Sequence, residues 1–275
     1  QKRMNSDLDL KEPRLSVEWL HANLNASDLI ILDGTINKVF DVSQNQIPNT
    51  RFFDIKKKFS NVSNPFPSAF PLSEKFQINA RALGVNKNSA IVIYDDKGIY
   101  SSARVWWLFK AFGFNNVAVL NGGFPAWLKA EFKTEPMKMY GGSLGDFEVS
   151  YQSKFMQFFE DVKKISKDKS HKIIDARSEN RFKCLEAEPR VGLRMGTIPN
   201  SVNLPFKDLF QEGLLMPKDR LEPIFNSFVS KEEDIVFSCG SGITACVLAL
   251  GATISGYENI SVYDGSWTEW GTLVE

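Results

Sequence analysis

The chain repeats one pattern at a near-constant interval. A short apolar strand at 29–32 runs into Asp33, and another at 173–176 contains Asp175, 142 positions further on. Gln-Ile-Pro-Asn at 46–49 is echoed by Gly-Thr-Ile-Pro-Asn at 196–200. The apolar run 91–94 is answered by 235–238, and Leu-Asn-Gly-Gly-Phe at 120–124 by Tyr-Asp-Gly-Ser-Trp at 263–267. The offset is 144 from Asp95 to Cys239 and 143 from Asn121 to Asp264, which chance does not easily produce. The chain therefore reads as a tandem duplication of one unit. Within the first copy, periodicity predicts a helix at 15–24 capped by Ser16, a helix at 74–83 closed by Gly84, a strand at 90–94, a helix at 101–112 closed by Gly113 and a strand at 117–120. Strands alternating with helices imply an α/β fold, each copy a parallel sheet flanked by helices on both faces. The expected boundaries are 1–136 for the first domain, a polar, glycine-containing linker at 137–150, and 151–275 for the second.

The second copy contains the stretch with the most chemistry, residues 235–256. Ile235, Val236, Phe237 and Ser238 form a short buried strand without polar alternation. Cys239, Gly240, Ser241, Gly242, Ile243 and Thr244 follow, and then an apolar, alanine-containing run with the length of a helix. A strand that becomes a helix over six residues, with glycines where the backbone bends, turns a ring of N–H groups inward. Those groups and the positive end of the helix stabilise an anion at the mouth of the loop, where Cys239 sits. A nucleophilic cysteine is the reading. At the equivalent position the first copy has Asp95, a carboxylate that cannot serve as a thiolate nucleophile, so that copy is expected to keep the scaffold without the chemistry. A cysteine-dependent phosphatase would need an arginine six positions after the cysteine, and that position is Ala245.

With 275 residues and 43% apolar content the chain can fill two cores. Thirty-three basic residues balance 33 acidic ones, which argues against nucleic acid or a membrane surface as the main partner. Three cysteines, Cys184, Cys239 and Cys246, do not pair into a disulfide framework, and a reducing, cytoplasmic compartment follows as the expectation. No apolar run approaches a membrane span. The N-terminal 14 residues lack a signal-peptide core, and the opening Gln1 in place of Met implies that an upstream segment was removed or replaced. Two histidines and scattered cysteines offer no ligand cluster, so no metal and no organic cofactor is expected.

The CGSGIT loop between an apolar strand and an apolar helix resembles the active-site loop of rhodanese-type sulfurtransferases, in particular those acting on 3-mercaptopyruvate, with Ile243 where valine is more usual. The likeness runs from about Leu15 to Gly271. It implies a catalytically silent first domain, a Cys239 persulfide, a small-molecule sulfur donor, and an acceptor that is a thiol, such as that of a thioredoxin-like protein, or cyanide. Relatives specific for thiosulfate carry basic residues after the cysteine, whereas Gly240 and Ser241 are neutral. Thiosulfate transfer and a non-catalytic binding module remain the alternatives. The resemblance also implies that Arg181, before Phe182, and Arg190, in Glu188-Pro189-Arg190, bind the substrate carboxylate through paired N–H bonds. These arginines have another possible use, pairing with Glu179, Glu186 and Glu188 on the surface. Gly240, Gly242, Ile243 and Thr244 complete the expected substrate loop, and Ser241 is expected to act beside the nucleophile. In the family a loop serine acts with an aspartate and a histidine from the first domain. Here Lys56 stands where that aspartate is expected and Ser68 falls in the stretch expected to hold the histidine.

Other reactive or charged residues read as structural. Arg177 is expected to support the fold beside Asp175, and Arg194 has no evident role. Cys246 is expected to be packed in its helix and Cys184 to be exposed. His21 and His171 flank predicted elements, Lys56, Lys57 and Lys58 form a solvated patch, and Trp106, Trp107, Trp267 and Trp270 are expected between layers.

Overall fold

The computed structural model describes residues 8–275. Half of the N-terminal stretch read as lacking a signal-peptide core, from Gln1 to Asp7, lies outside the described residues. Two compact units emerge: one comprises the chain up to Phe59 together with Leu72–Ser150, the other Ser60–Pro71 together with Tyr151–Glu275.

Each unit is built on a five-stranded, all-parallel sheet. In the first, the strands run in the order Arg14–Leu15, Val117–Leu120, Ala90–Tyr94, Leu29–Asp33, Thr50–Phe52. In the second, the order is Met156–Gln157, Ile260–Tyr263, Ile235–Ser238, Lys172–Asp175, Ser201–Asn203. The two topologies are the same strand for strand, so the expected duplication and fold class hold.

Both faces of each sheet are covered, which is why the central strands are apolar throughout instead of alternating. Val92 and Tyr94 pack with Val17, Leu20 and Trp127, from helices Val17–Asn23 and Gly123–Lys129. Ile93, pointing the other way, lies beside Val105 of helix Ser102–Ala111, with Gly34 between them. In the second unit Val236 packs with Val162, Trp267 and Trp270. On the other face, the Phe237 ring meets Phe225 edge-on at 6.3 Å. Trp106 and Trp107 are each 1% exposed, in the core of the first unit. Ser16 caps the first helix as expected, its hydroxyl accepting the Trp19 N–H at 3.1 Å. Gly84 and Gly113 close theirs with φ of 77° and 86°.

Two segments behave differently from their composition. Residues 137–150, read as a linker, form a strap laid across the first unit. Phe147 is 1% exposed and meets the rings of Phe76, Phe109 and Phe114. Backbone bonds from Gly145 to Arg81, Phe147 to Val85 and Ser150 to Phe112 hold it at 2.8–3.0 Å. A few apolar anchors in a polar stretch were enough to fix it. Residues 60–71 leave the first unit altogether. The Phe70 N–H donates to the Asp264 carboxylate at 2.8 Å, and the Phe70 ring contacts Tyr151 and Phe158. Among the described residues no helix is long and apolar enough to cross a membrane.

Candidate active site

Strand Ile235–Ser238 delivers Cys239 at its C-terminal end, and helix Ala245–Ile254 begins six residues later. The Gly242 N–H donates to the Cys239 sulfur at 3.1 Å. Gly242 has φ of 81°, in the left-handed region that glycine enters without steric cost, and this folds the loop back over the cysteine. The N–H groups of Gly240, Ser241, Ile243 and Thr244 meet no acceptor among the described residues. The Ser241 and Thr244 hydroxyls are likewise without a partner there, Ser241 half-buried and Thr244 9% exposed. Ile243 is buried, so its side chain serves packing and only its N–H faces the chemistry. The result is a loop of unsatisfied donors after a cysteine that is itself 1% exposed, with the Gly242 N–H on its sulfur, a setting that favours an anion.

The loop is fixed from behind by the segment after strand Ile260–Tyr263. The Ser266 hydroxyl accepts the Cys239 N–H at 3.0 Å, donates to the Tyr263 carbonyl at 2.9 Å, and lies 3.9 Å from the Cys239 sulfur. The Trp267 N–H donates to the Cys239 carbonyl at 2.9 Å. Thr268 gives the Gly240 carbonyl both its N–H, at 2.9 Å, and its hydroxyl, at 2.5 Å. Ser266 adopts φ of 52°, a left-handed conformation that costs a residue with a Cβ on the order of 1–2 kcal/mol. Its counterpart in the first unit is Gly123, with φ of 55°. Ser266 and Thr268 were not singled out from the sequence. The available signal was the repeat itself, which sets a serine against a glycine at a backbone position that favours glycine.

The first unit contains the same loop filled by its own anion. Asp95 is fully buried, and its carboxylate accepts the N–H groups of Lys97, Tyr100 and Ser102, each at 2.8 Å. Burial pushes this carboxyl up, and the three N–H bonds oppose it. The Phe124 N–H meets the Asp95 carbonyl at 3.0 Å, matching Trp267 on Cys239. The scaffold is retained to the level of single hydrogen bonds, with a carboxylate where the second unit has sulfur.

Asp175 lies abreast of Ser238 in the parallel register and begins a charged chain beside the loop. Arg177, 1% exposed, donates to both Asp175 oxygens at 2.8–3.2 Å, to the Gly196 carbonyl at 2.8 Å and to Glu188 at 3.1 Å. Its guanidinium lies 5.1 Å from the centre of the Trp267 ring. The expected structural role of Arg177 is thus seen in full. Glu188 in turn holds Arg181, Oε2 to Nε at 3.0 Å and Oε1 to Nη2 at 2.9 Å. Burial would raise the Glu188 carboxyl, but Arg181 and Arg177 hold it below its ordinary value. So Glu188 pairs with arginines as one sequence reading had it, yet buried and not on the surface. Arg181 reaches the loop: its Nη2 lies 2.9 Å from where a side chain on Gly240 would begin. Arg190 is exposed, and its guanidinium makes no hydrogen bond or ion pair among the described residues. Arg194 lies 4.8 Å from the centre of the Trp267 ring and donates to the Gly271 and Val274 carbonyls, tying down the C-terminal helix.

The remaining candidates stand apart from the loop or pack under it. His21 stacks on Phe132 at 3.9 Å, and His171 is half-buried, its Nδ1 2.9 Å from the Ser170 hydroxyl. All three cysteines are free. Cys246 is buried with its sulfur 3.4 Å from the Gly242 carbonyl, while Cys184 is exposed. Lys56, Lys57 and Lys58 are exposed. Ser68, in the segment where the family histidine is expected, is 8% exposed with φ of 54°.

Comparison with known proteins gives the same picture. The rhodanese-like domain profile matches residues 16–130 and again 158–273. The chain is 37% identical over 296 residues to the thiosulfate/3-mercaptopyruvate sulfurtransferase 1 of Arabidopsis thaliana, named as mitochondrial, covering 97% of this chain and 78% of that protein. It is 33% identical over 270 residues to the 3-mercaptopyruvate sulfurtransferase of Escherichia coli, covering 95% of each. The crystal structure of SseA from Escherichia coli superposes with a TM-score of 0.82 at 30% identity, covering 93% of this chain and 99% of that one. Matched twice along its length, with Asp95 in the first copy where the second has Cys239, the chain belongs to the rhodanese-like family.

Proposed function

We propose that the protein is a sulfurtransferase that moves sulfur from 3-mercaptopyruvate to a thiol or cyanide through a persulfide on Cys239. The observation that carries this is the Cys239 sulfur accepting the Gly242 N–H at 3.1 Å inside a loop with four further unpaired N–H groups. In the first half-reaction the Cys239 thiolate attacks the donor sulfur. The carbon–sulfur bond breaks, its electron pair passes to the carbon, and the enolate takes up the proton of the donor thiol to become pyruvate. The loop N–H groups hold the resulting persulfide anion, a charge that would be costly in a dry site without them. In the second half-reaction the acceptor thiolate or cyanide takes the outer sulfur and the electron pair of the broken S–S bond returns to Cys239, giving ping-pong kinetics.

Arg190, exposed and without a hydrogen bond or ion pair of its guanidinium among the described residues, is the residue proposed to bind the donor carboxylate, with Arg181 supplying positive charge beside the loop and Ser241 donating to the donor carbonyl or to the departing group. Support for mercaptopyruvate as the preferred donor comes from the neutral loop, since thiosulfate is a dianion and Gly240 and Ser241 add no charge. The Arabidopsis relative is named for both donors, and thiosulfate is proposed as the weaker one here. A thioredoxin-like protein is a suitable acceptor because it presents a reactive thiol on its surface. The three free cysteines suit a reducing compartment, for which we take the cytoplasm; the named location of the Arabidopsis relative makes a mitochondrial one the alternative. Steady-state kcat/KM with each donor tests the reading. Mercaptopyruvate should be favoured by roughly tenfold or more, about 1.4 kcal/mol of differential transition-state binding. A preference for thiosulfate would overturn the donor assignment.

A further inference from the structure

The two arginines that the sequence treats alike stand in opposite conditions. Arg181 has its Nε and Nη2 committed to Glu188, so the side of its fork best suited to a carboxylate is already taken. Arg190 is exposed and carries no such partner among the described residues. Glu188 has no freedom to move away. Its side chain is fully buried, and Arg177, which is fixed by Asp175, Gly196 and the Trp267 ring, bonds its Oε1. An acid gripped by an immobile arginine thus determines where the second arginine sits.

From this we infer that Glu188 is a positioning residue that fixes the Arg181 guanidinium as a standing positive charge over the Cys239 loop, leaving Arg190 as the group that captures the donor carboxylate. The inference rests on the sulfurtransferase reading above. Arg181 is held where its Nη2 approaches the Gly240 backbone; burial works against its charged form, and Glu188 outweighs that and keeps the guanidinium protonated. A charge held in place before reaction costs no reorganisation when negative charge appears on the sulfur, whereas a free arginine would have to be ordered first. Glu188 touches neither donor nor sulfur and acts only through Arg181.

A double-mutant cycle on Glu188 and Arg181, read as kcat and KM for mercaptopyruvate, tests this. Glu188→Gln removes the charge and one of the two acceptor oxygens. Glu188→Asp keeps the charge for Arg177 but withdraws it from Arg181 by one methylene, and it serves if the glutamine variant does not fold. Either change should lower kcat roughly 10- to 100-fold, the scale of a misplaced catalytic group, with KM changed by less than about threefold because Arg190 is intact. In an Arg181→Ala background the same substitution should lower kcat no further. An unchanged kcat in the single variant, or an undiminished effect in the Arg181→Ala background, overturns the inference. The unmutated protein is the control for the underlying reading: if it takes up no sulfur from mercaptopyruvate, that reading fails and this one with it.

Discussion

The Gly242 amide nitrogen lies 3.1 Å from the Cys239 sulfur, three residues back along the chain. In the first unit the Lys97 N–H meets the Asp95 carboxylate at 2.8 Å, two residues back. Both loops turn backbone N–H groups onto the side chain at their mouth. One is self-satisfied by a carboxylate, whereas the other keeps four N–H groups without an acceptor among the described residues. At the same repeated position one loop carries a carboxylate that accepts its N–H groups and the other a cysteine that meets one of them.

Replacing Asp95 should cost stability. Asp95→Asn leaves an amide with one acceptor oxygen facing three N–H donors, those of Lys97, Tyr100 and Ser102. A loss of about 2–4 kcal/mol is expected, from one or two unsatisfied donors and a lost charge. Urea denaturation measures it, and an unchanged midpoint would show that the carboxylate is not what holds the first loop.

Ser266 combines strain with function, and two substitutions separate them. Ser266→Ala keeps the left-handed conformation unfavourable and loses the acceptor of the Cys239 N–H. Ser266→Gly loses the same acceptor but relieves the backbone. The glycine variant should thus be more stable than the alanine variant by on the order of 1 kcal/mol, with kcat lowered in both. Equal stability of the two would indicate that φ at this position carries no strain.

A side chain at position 240 would meet the Arg181 guanidinium, a reason for glycine there that is unrelated to φ. A Cβ there would stand 2.9 Å from Nη2 of Arg181, so Gly240→Ala should push the guanidinium off the loop. The expected result is a fall in kcat resembling that of Arg181→Ala, and full activity would place the arginine's contribution elsewhere.

Arg190→Ala should act on KM. Losing charge-assisted bonds worth about 1.5–3 kcal/mol each lowers kcat/KM for mercaptopyruvate roughly 10- to 150-fold. If KM does not rise, the carboxylate is bound by another group.

Much of this was legible in the sequence, for identifiable reasons. The repeat exposed the duplication because equivalent strands are buried on both faces and so keep long apolar runs. The glycines of the Cys239 loop marked its turn because Gly242 enters a backbone region that other residues avoid. The strap at 137–150 was hidden because its buried anchors, Met137 and Phe147, are too few and too far apart to show as periodicity, and backbone hydrogen bonds hold the rest. The attachment of residues 60–71 to the second unit was hidden for a different reason: a hydrogen bond from the Phe70 N–H to the Asp264 carboxylate and ring contacts of Phe70 leave no pattern in the chain. The opposite conditions of Arg181 and Arg190 depend on which acids are buried, and local sequence does not distinguish Glu188 from Glu186. Ser266 shows its meaning only when laid against Gly123.

The most direct test of the central claim is the mass of the Cys239 peptide after exposure of the protein to mercaptopyruvate. Peptide mass spectrometry should find one additional sulfur on Cys239, none on Cys184 or Cys246, and its removal by cyanide. Cys239→Ser should take up none while remaining folded. Sulfur located on either other cysteine, or absent from Cys239 in the unmodified protein, would contradict the account.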